Sequence, residues 1–261
     1  MAVYNFNYNL HIDFGGEVKE QTFLLRCLPA DNNRQIIKEI ALEIQPRAQI
    51  THGKDWTGNK TVTGFIAEPH SEFNATVSGM AETYAGFYEE SAYLSPIYKY
   101  PTPLTKTQGK LEEFAKSLNL NGEPPYDAAR KICRAVYDYF TYTKGVTDVE
   151  TSAAQAFEIG KGVCQDYAHA ALALMRYYKI PCRYAAGIIC GQGESHAWVE
   201  AECNGFIYGF DPTNNLLVSD GYIKFCGGRD AADCAVSRGV FKGIVSQKQT
   251  VSAEVNRANE Q

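Results

Sequence analysis

The sequence lacks the signatures of several protein classes. None of its eight cysteines belongs to a C-x-x-C pair, so we expect no zinc ribbon, and no other metal or cofactor motif is present. No stretch approaches the roughly 20 apolar residues of a membrane span. The start, MAVYNFNYNLHIDFGG, has neither the basic beginning nor the apolar run of a signal peptide. We therefore expect a cytoplasmic protein with reduced thiols and no membrane partner.

The charge pattern also excludes one class of partner. The formal net charge is -5 and no basic patch stands out, so we expect no nucleic-acid binding. Apolar residues make up 45% and charged residues 21% of the 261 positions, a balance typical of a folded globular chain. This length fits one large domain or two smaller ones. The 17 tyrosines and 13 phenylalanines favour strands.

The first part of the chain is patterned as strands. From Tyr4 to Asp13, aromatic and aliphatic residues alternate with polar ones, which predicts a half-buried strand. The motif Phe14-Gly15-Gly16 then predicts a turn. Further strand-like runs cover 22–28, 36–45, 61–67 and 73–80. With no long helical period before residue 108, residues 1–95 are predicted to form an all-β sandwich or barrel.

The pattern changes after a connector that is rich in proline. Residues 96–125 contain five prolines around a short predicted helix at 108–118. Residues 126–261 then form the second predicted domain, which includes C-terminal strands. Its helices are predicted at 126–140, 152–159 and 164–179, and its strands at 183–190, 196–203 and 206–210. Helices followed by antiparallel strands indicate an α+β fold.

A cysteine at a helix start draws attention to the stretch GKGVCQDYAHA. Cys164 follows Gly160 and Gly162, which we expect to keep the approach open for a substrate carbonyl, and it begins the helix at 164–179. The free N–H groups and the dipole at a helix start favour a thiolate, which is the nucleophilic form. A cysteine packed there for volume is the alternative, and this stretch alone does not decide between them.

A thiolate nucleophile needs a base, and two histidines are candidates. His169 lies on the same helix, but five residues place it about 140° around the axis from Cys164, so we expect a structural or exposed role. His196 lies in the alternating run SHAWVEAEC, on a face of mixed character. It is the better candidate for the base.

The hairpin after His196 points to a third residue. Asn204-Gly205 is typical of a two-residue hairpin turn, and that turn would pair Trp198 with Asp211. Asp211 would then lie diagonally across from His196 on one face, where its carboxylate could fix the imidazole tautomer. A plain turn residue before Pro212 is the alternative for Asp211.

Three stretches together resemble a known family. The segments GKGVCQDYAHAALALMRYYKIPCRYAAG, ESHAWVEAE and GFDPTNN resemble the core motifs of the transglutaminase-like superfamily. The strand-rich start, with DWTGNKTVTGFIAEPH, is similar to the β domain that precedes this core in bacterial members. The resemblance implies a papain-like core and a catalytic triad of Cys164, His196 and Asp211, with no cofactor and no metal. The acidic calcium loops of the animal crosslinking enzymes are absent.

The resemblance implies thiol-dependent acyl transfer at an amide or peptide bond. We expect hydrolysis, with a peptide or amide as substrate, because nothing in the sequence suggests a dedicated tunnel for an amine acceptor. Transamidation of protein glutamine is one alternative. A non-catalytic binding module on the same fold is another, although such modules usually lose part of the triad, and all three residues are present here.

Overall fold

The strand-rich start and the α+β core are both present in the structure. The computed structural model describes residues 1–85, 88–89 and 94–258. Its strands form an eight-stranded sheet, a six-stranded antiparallel sheet and a small two-stranded parallel sheet. The predicted fold class, an all-β region followed by helices packed on an antiparallel sheet, is confirmed. Residues 86–87, 90–93 and 259–261 of the predicted domains lie outside the described residues.

Five strands make up the first region. They are β1 (Ala2–Leu25), β2 (Gln35–Gln45), β3 (Gln49–Lys54), β4 (Lys60–Ile66) and β5 (His70–Thr83). The alternation in β1 buries one face: Tyr4, Phe6, Tyr8, Leu10 and Ile12 are all buried. This face forms the core of the eight-stranded sheet, because successive side chains of a strand point to opposite sides.

The long strand β1 does not turn at its two glycines. Residues 2–13 pair with β5, whereas residues 21–25 pair with β4, so the strand passes from one part of the sheet to another. The predicted turn at Phe14-Gly15-Gly16 is therefore wrong. A Cβ at Gly15 would lie 2.4 Å from Ser246 Oγ, so this glycine allows a close approach of two segments and does not reverse the chain.

In the described residues, four α-helices and nine strands follow. The helices are α1 (Lys110–Leu118), α2 (Pro125–Tyr139), α3 (Ala153–Ile159) and α4 (Cys164–Tyr177). The strands are β6 (Tyr88–Glu89), β7 (Thr141–Tyr142), β8 (Lys161–Gly162), β9 (Cys182–Ile189), β10 (Gly191–Gly193), β11 (His196–Cys203), β12 (Phe206–Asp211), β13 (Leu216–Leu217) and β14 (Tyr222–Gly228), of which β6 precedes the helices. Helix α4 is buried from Asp166 to Arg176, and this central helix carries Cys164 at its start.

The last two strands return to the first region. Strands β15 (Ser237–Lys242) and β16 (Gln247–Arg257) both pair with β1 and not with the core sheet. The sequence assigned them to the core, because alternation reports a strand but not its partner. The predicted boundaries near residues 95 and 125 stay a prediction. The short strand β10 also joins this sheet through β16, so the loop ahead of His196 is held by the first region.

Two buried side-chain amides connect the first region of the chain to strand β14 of the core. Gln35 donates to the carbonyl of Lys224 at 2.8 Å and accepts from its N–H at 2.8 Å. Asn59 makes the same pair of bonds with Gly227, at 3.0 and 2.8 Å. Each side chain therefore pairs with the edge of β14 as a neighbouring strand would. This explains the DWTGN stretch as a structural contact between the two regions.

A buried ion cluster spans three strands of the core sheet. Glu200 on β11 accepts from Arg183 on β9 and from Lys224 on β14, each at 2.6 Å. Burial would raise the pKa of Glu200, but the two cations outweigh it and lower this pKa to about 2. The carboxylate therefore contributes stability above its unfolded pKa, and the contribution is lost as the pH falls through about 2.

Replacing Glu200 by alanine is expected to destabilise the fold strongly. The change removes the Glu200 carboxylate from beside two cations, each 17% exposed. Breaking a buried ion pair typically costs about 3–5 kcal/mol. Urea unfolding at neutral pH measures this cost. Glu112→Ala, which breaks an exposed i,i+4 pair with Lys116, is the control and should stay within about 0.5 kcal/mol of wild type. Equal midpoints for the two variants would contradict the prediction.

Candidate active site

The approach to Cys164 is shaped by a short parallel pairing. Strand β8 pairs with β7 just after α3 ends at Gly160, whose φ of 68° is left-handed. A Cβ at Gly162 would lie 2.4 Å from the Asp166 carboxylate, which accepts from the Val163 N–H at 2.7 Å. The two glycines were expected to open a path for substrate. In the structure Gly160 ends a helix and Gly162 makes room for Asp166 at the first turn of α4.

The thiol of Cys164 lies beside the imidazole ring of His196. Cys164 is the first residue of α4 and is partly exposed, and its thiol lies close enough to the imidazole of His196 to help raise the pKa of that ring. Its Sγ also lies 4.0 Å from the carbonyl oxygen of Ser195. His196 begins β11 and is 9% exposed. Cys164 comes from a helix start and His196 from the start of a strand, and the fold of the core brings them together.

Asp211 completes a continuous chain of contacts. Its Oδ2 lies 2.8 Å from Nε2 of His196, and the carboxylate is fully buried. The hairpin turn at Asn204-Gly205 gives Val199 opposite Phe210, the predicted register, which is thus confirmed. Asp211 follows directly on the same strand. The structure therefore brings together all three residues that the sequence selected.

The imidazole of His196 is held in its charged form. Burial acts to lower the pKa of His196, but hydrogen bonds and charge from Asp211 and Cys164 outweigh it and raise this pKa to about 10. Burial would raise the pKa of Asp211, yet His196 and its other donors keep it below its usual value. At neutral pH the site can therefore hold an imidazolium beside the Asp211 carboxylate.

Sequence reasoning missed two residues that hold Asp211. Tyr222 on β14 donates its hydroxyl to Oδ2 at 2.8 Å, and Asn214 donates its side-chain amide to the same oxygen at 2.8 Å. The backbone N–H groups of Thr213 and Asn214 donate to Oδ1 at 2.9 and 3.1 Å. Asn214 lies within the quoted motif GFDPTNN, which could have signalled it. Tyr222 arrives from another strand, and no local pattern points to it.

His169 lies apart from this chain, as its helical position predicted. It is fully buried, and its Nε2 accepts from the N–H of Ala231 at 3.1 Å. Burial lowers its pKa to about 4, so the ring is neutral at physiological pH. It supports the loop after β14.

Cys164 and His196 face a cavity of about 1280 Å³. Cys164, His196 and the loop between β9 and β11 line one part of it, and the loop from Arg229 to Arg238 lines another. The first region of the chain also contributes, through Tyr8 on β1 and through Gln249 and Val251 on β16. Both regions of the chain therefore shape the space in front of the thiol.

Two other kinds of feature are absent from the described residues. No group of three or more His, Cys, Asp or Glu side chains in residues 1–85, 88–89 and 94–258 is arranged to hold a metal ion. Within the part of the chain that the structure describes, no helix is long and apolar enough to cross a membrane.

Asp211→Asn is expected to slow turnover by about 10³–10⁴-fold. Two backbone N–H groups fix the amide oxygen at the Oδ1 position, so the new NH₂ group faces the donors Nε2 of His196 and the side-chain amide of Asn214. Because the charge of Asp211 no longer offsets the effect of burial, the pKa of His196 falls. The alkaline limb of the pH–rate profile, near pH 10 in wild type, should move to lower pH.

The control for this variant is Asp138→Asn, an exposed i,i+4 partner of Arg134. It should keep both the rate and the pH profile. An Asp211→Asn protein with an unmoved alkaline limb would show that Asp211 does not hold the imidazolium.

Known proteins are similar to both regions of the chain. The family described as the transglutaminase-like superfamily matches residues 112–212, and the bacterial transglutaminase-like N-terminal region matches residues 4–82. An uncharacterized protein of Mycobacterium leprae is 28% identical over 256 residues, covering 89% of this chain and 90% of its own. Another from Mycobacterium tuberculosis is 26% identical over 249 residues, covering 82% and 79%.

A solved structure shares the whole fold. The crystal structure of a candidate cysteine protease from Cytophaga hutchinsonii superposes with a TM-score of 0.83 at 23% identity. The match covers 100% of this chain and 92% of the other. The strand-rich first region and the helical core therefore occur together, in the same arrangement, in that protein as well.

Proposed function

Because this chain belongs to the transglutaminase-like superfamily, we propose that it is a cysteine hydrolase of amide or peptide bonds. The observation that supports this most is that His196, hydrogen-bonded to the buried Asp211, lines the same cavity as the thiol of Cys164. Nucleophile, base and orienting carboxylate are the three parts that covalent acyl transfer requires. Cys164 and His196 lie at the wall of a cavity large enough for a substrate, with Asp211 buried behind His196.

The proposed reaction has two steps. The Cys164 thiolate attacks the substrate carbonyl carbon, the C–N bond breaks, and the amine leaves with the proton of the His196 imidazolium. A thioester on Sγ remains. Water then attacks the thioester while His196 takes a proton from the water. The bond from Sγ to the carbonyl carbon breaks, and the carboxylic acid is released. The Cys164 N–H, free at the first turn of α4, is the candidate donor to the oxyanion.

Transamidation would differ only in the second step, where an amine replaces water. The proposed partner is a peptide or amide substrate, and neither nucleic acid nor a membrane is expected to bind. A cytoplasmic location stays a prediction, and the eight cysteines, all free thiols, are compatible with it.

Labelling of the thiols tests the proposal without a known substrate. Cys190 is exposed and Cys164 only partly so, while the other six cysteines are buried. Exposure alone would favour Cys190. Ionisation by His196 should instead make Cys164 the first to react with limiting iodoacetamide at neutral pH, read by peptide mapping.

The matched variant for this test is His196→Ala, which should remove the preference and leave Cys190 ahead. If Cys190 reacts first in the wild-type protein as well, Cys164 is not an activated thiol and the proposed function is wrong.

A further inference from the structure

The outer edge of β16 is only partly paired. On its inner side, β16 pairs with β1 along its whole length. On its outer side, β10 covers only Ala253 to Val255. In residues 1–85, 88–89 and 94–258, no strand pairs with the outer side of residues 247–252. An unpaired strand edge presents N–H and C=O groups that can bind another chain.

The register decides which backbone groups face outward. Ala258 N–H donates to Val3 C=O, and Gly15 N–H donates to Ser246 C=O, so even-numbered residues of β16 bond to β1. In an antiparallel ladder the alternate residues point the other way. The N–H and C=O groups of Gln249 and Val251 therefore point away from β1, on the side where β10 lies further along.

These two residues lie in the catalytic cavity. Gln249 and Val251 line the same cavity as Cys164 and His196. Gln249 is exposed and Val251 half-buried, so solvent reaches the strand here. The open edge of the sheet thus forms part of the wall of the space in front of the thiol.

Strand β10 shows where an added chain would run. It lies on β16 in an antiparallel pairing that ends at Gly193, two residues before the Ser195 carbonyl that faces Sγ of Cys164. No atom lies within 4 Å of the position that a Cβ would take at Gly193. A chain that continued the line of β10 along Val251 and Gln249 would begin in open space beside the triad.

We infer that the substrate is an extended peptide whose main chain pairs with the outer edge of β16 at Gln249 and Val251. This inference rests on the proposed function. Two outward residues offer two N–H donors and two C=O acceptors, all of which an extended peptide can match. Such pairing selects a peptide main chain regardless of side chains, and it favours peptide bonds over an isolated amide.

The test uses vinyl sulfone probes, because their reaction with a thiolate requires no knowledge of the natural substrate. The thiolate of Cys164 adds to the vinyl carbon remote from the sulfonyl group, and the carbon next to the sulfonyl group takes the His196 proton. Methyl vinyl sulfone, with no peptide, measures the triad alone. Acetyl-tetraalanyl vinyl sulfone carries a main chain that can pair with β16. Rates of labelling at Cys164 are read by mass spectrometry.

We expect the tetrapeptide probe to label Cys164 at least about tenfold faster than methyl vinyl sulfone, after correction for their rates with free cysteine. Single N-methylation should slow it by about fivefold to tenfold at alternate positions only, because each change removes one hydrogen bond to β16 and positions that face away are insensitive. Equal slowing at every position, or at none, would overturn the inference.

Gln249→Pro tests the protein side of the same contact. Proline removes the outward N–H without touching the bonds to β1, and proline is tolerated on the free side of an edge strand. This variant should slow the tetrapeptide probe by about fivefold to tenfold and leave methyl vinyl sulfone unchanged. Gln247→Pro is the matched control, because its N–H also points outward but it does not line the cavity. It should change neither rate.

The two proposals fail in different ways. If methyl vinyl sulfone labels Cys190 before Cys164, the proposed function is wrong and the inference falls with it. If Cys164 is preferred but the tetrapeptide has no advantage, or Gln249→Pro labels like wild type, the triad stands and the pairing with β16 is wrong. Should Gln249→Pro fail to fold, the N-methylated probes on the wild-type protein decide the question.

Discussion

Replacing Cys164 by serine is expected to reduce amide hydrolysis by at least about 10⁴-fold. The sulfur of Cys164, at a helix start and beside the imidazolium of His196, is the nucleophile of the proposed reaction. A hydroxyl there is hardly ionised at neutral pH, so the attack on the carbonyl loses its nucleophile. The measurement is turnover of a peptide amide that the wild-type protein cleaves, found by screening, with thermal melts as the control for folding.

The fold should survive this change, because serine is close in size to cysteine and Cys164 is only partly buried. Cys190→Ser is the matched control, since Cys190 lines the same cavity and lies outside the triad. It should keep nearly full activity. If the two variants lose activity equally, a general need for thiols and not a nucleophile at Cys164 explains the result.

His196→Ala is expected to be almost as severe as the loss of the thiol. It removes both the base and the partner that holds the thiolate. The double variant Cys164→Ser/His196→Ala should be little worse than either single variant, because the two side chains act as one unit. Turnover of the same amide, measured for all three variants, gives the comparison.

Folding of His196→Ala is protected by the remaining contacts of Asp211, which still accepts from Thr213, Asn214 and Tyr222. His52→Ala is the matched control, because His52 is exposed on β3, far along the chain from the triad. A folded His196→Ala protein with near wild-type turnover would remove His196 from the role of base. Losses that multiply in the double variant would show independent roles.

Local patterns predicted the core of this protein well. The helices at 110–118, 125–139 and 153–159 lie within two residues of their predicted bounds, because apolar spacing and the flanking glycines and prolines act over a few residues. The register of the β11–β12 hairpin followed from the two residues of its turn, Asn204 and Gly205, both of which have positive φ. That register is why Asp211 could be placed near His196.

Other features depended on partners that are distant in sequence. The strand β3 was not predicted, and all of its residues are exposed, so it carries no alternating pattern to detect. The hydroxyl of Tyr222 reaches Asp211 from a separate strand. The pairing of β16 with β1 joins residues more than 200 positions apart, and an alternating strand does not specify which edge it joins.

The sequence by itself determined most elements of the core and the hairpin register, because each depends on spacing within a short segment. It pointed to the three candidate residues through spacing together with the family resemblance. Only the tertiary structure decided how Cys164 meets His196, how five donors hold Asp211, and that β16 returns to line the cavity. These outcomes depend on burial and on hydrogen bonds between distant segments, which set the pKa of His196 and the shape of the cavity. The residue types and their spacing can be read from short segments of the sequence, whereas the surroundings of each side chain depend on the fold.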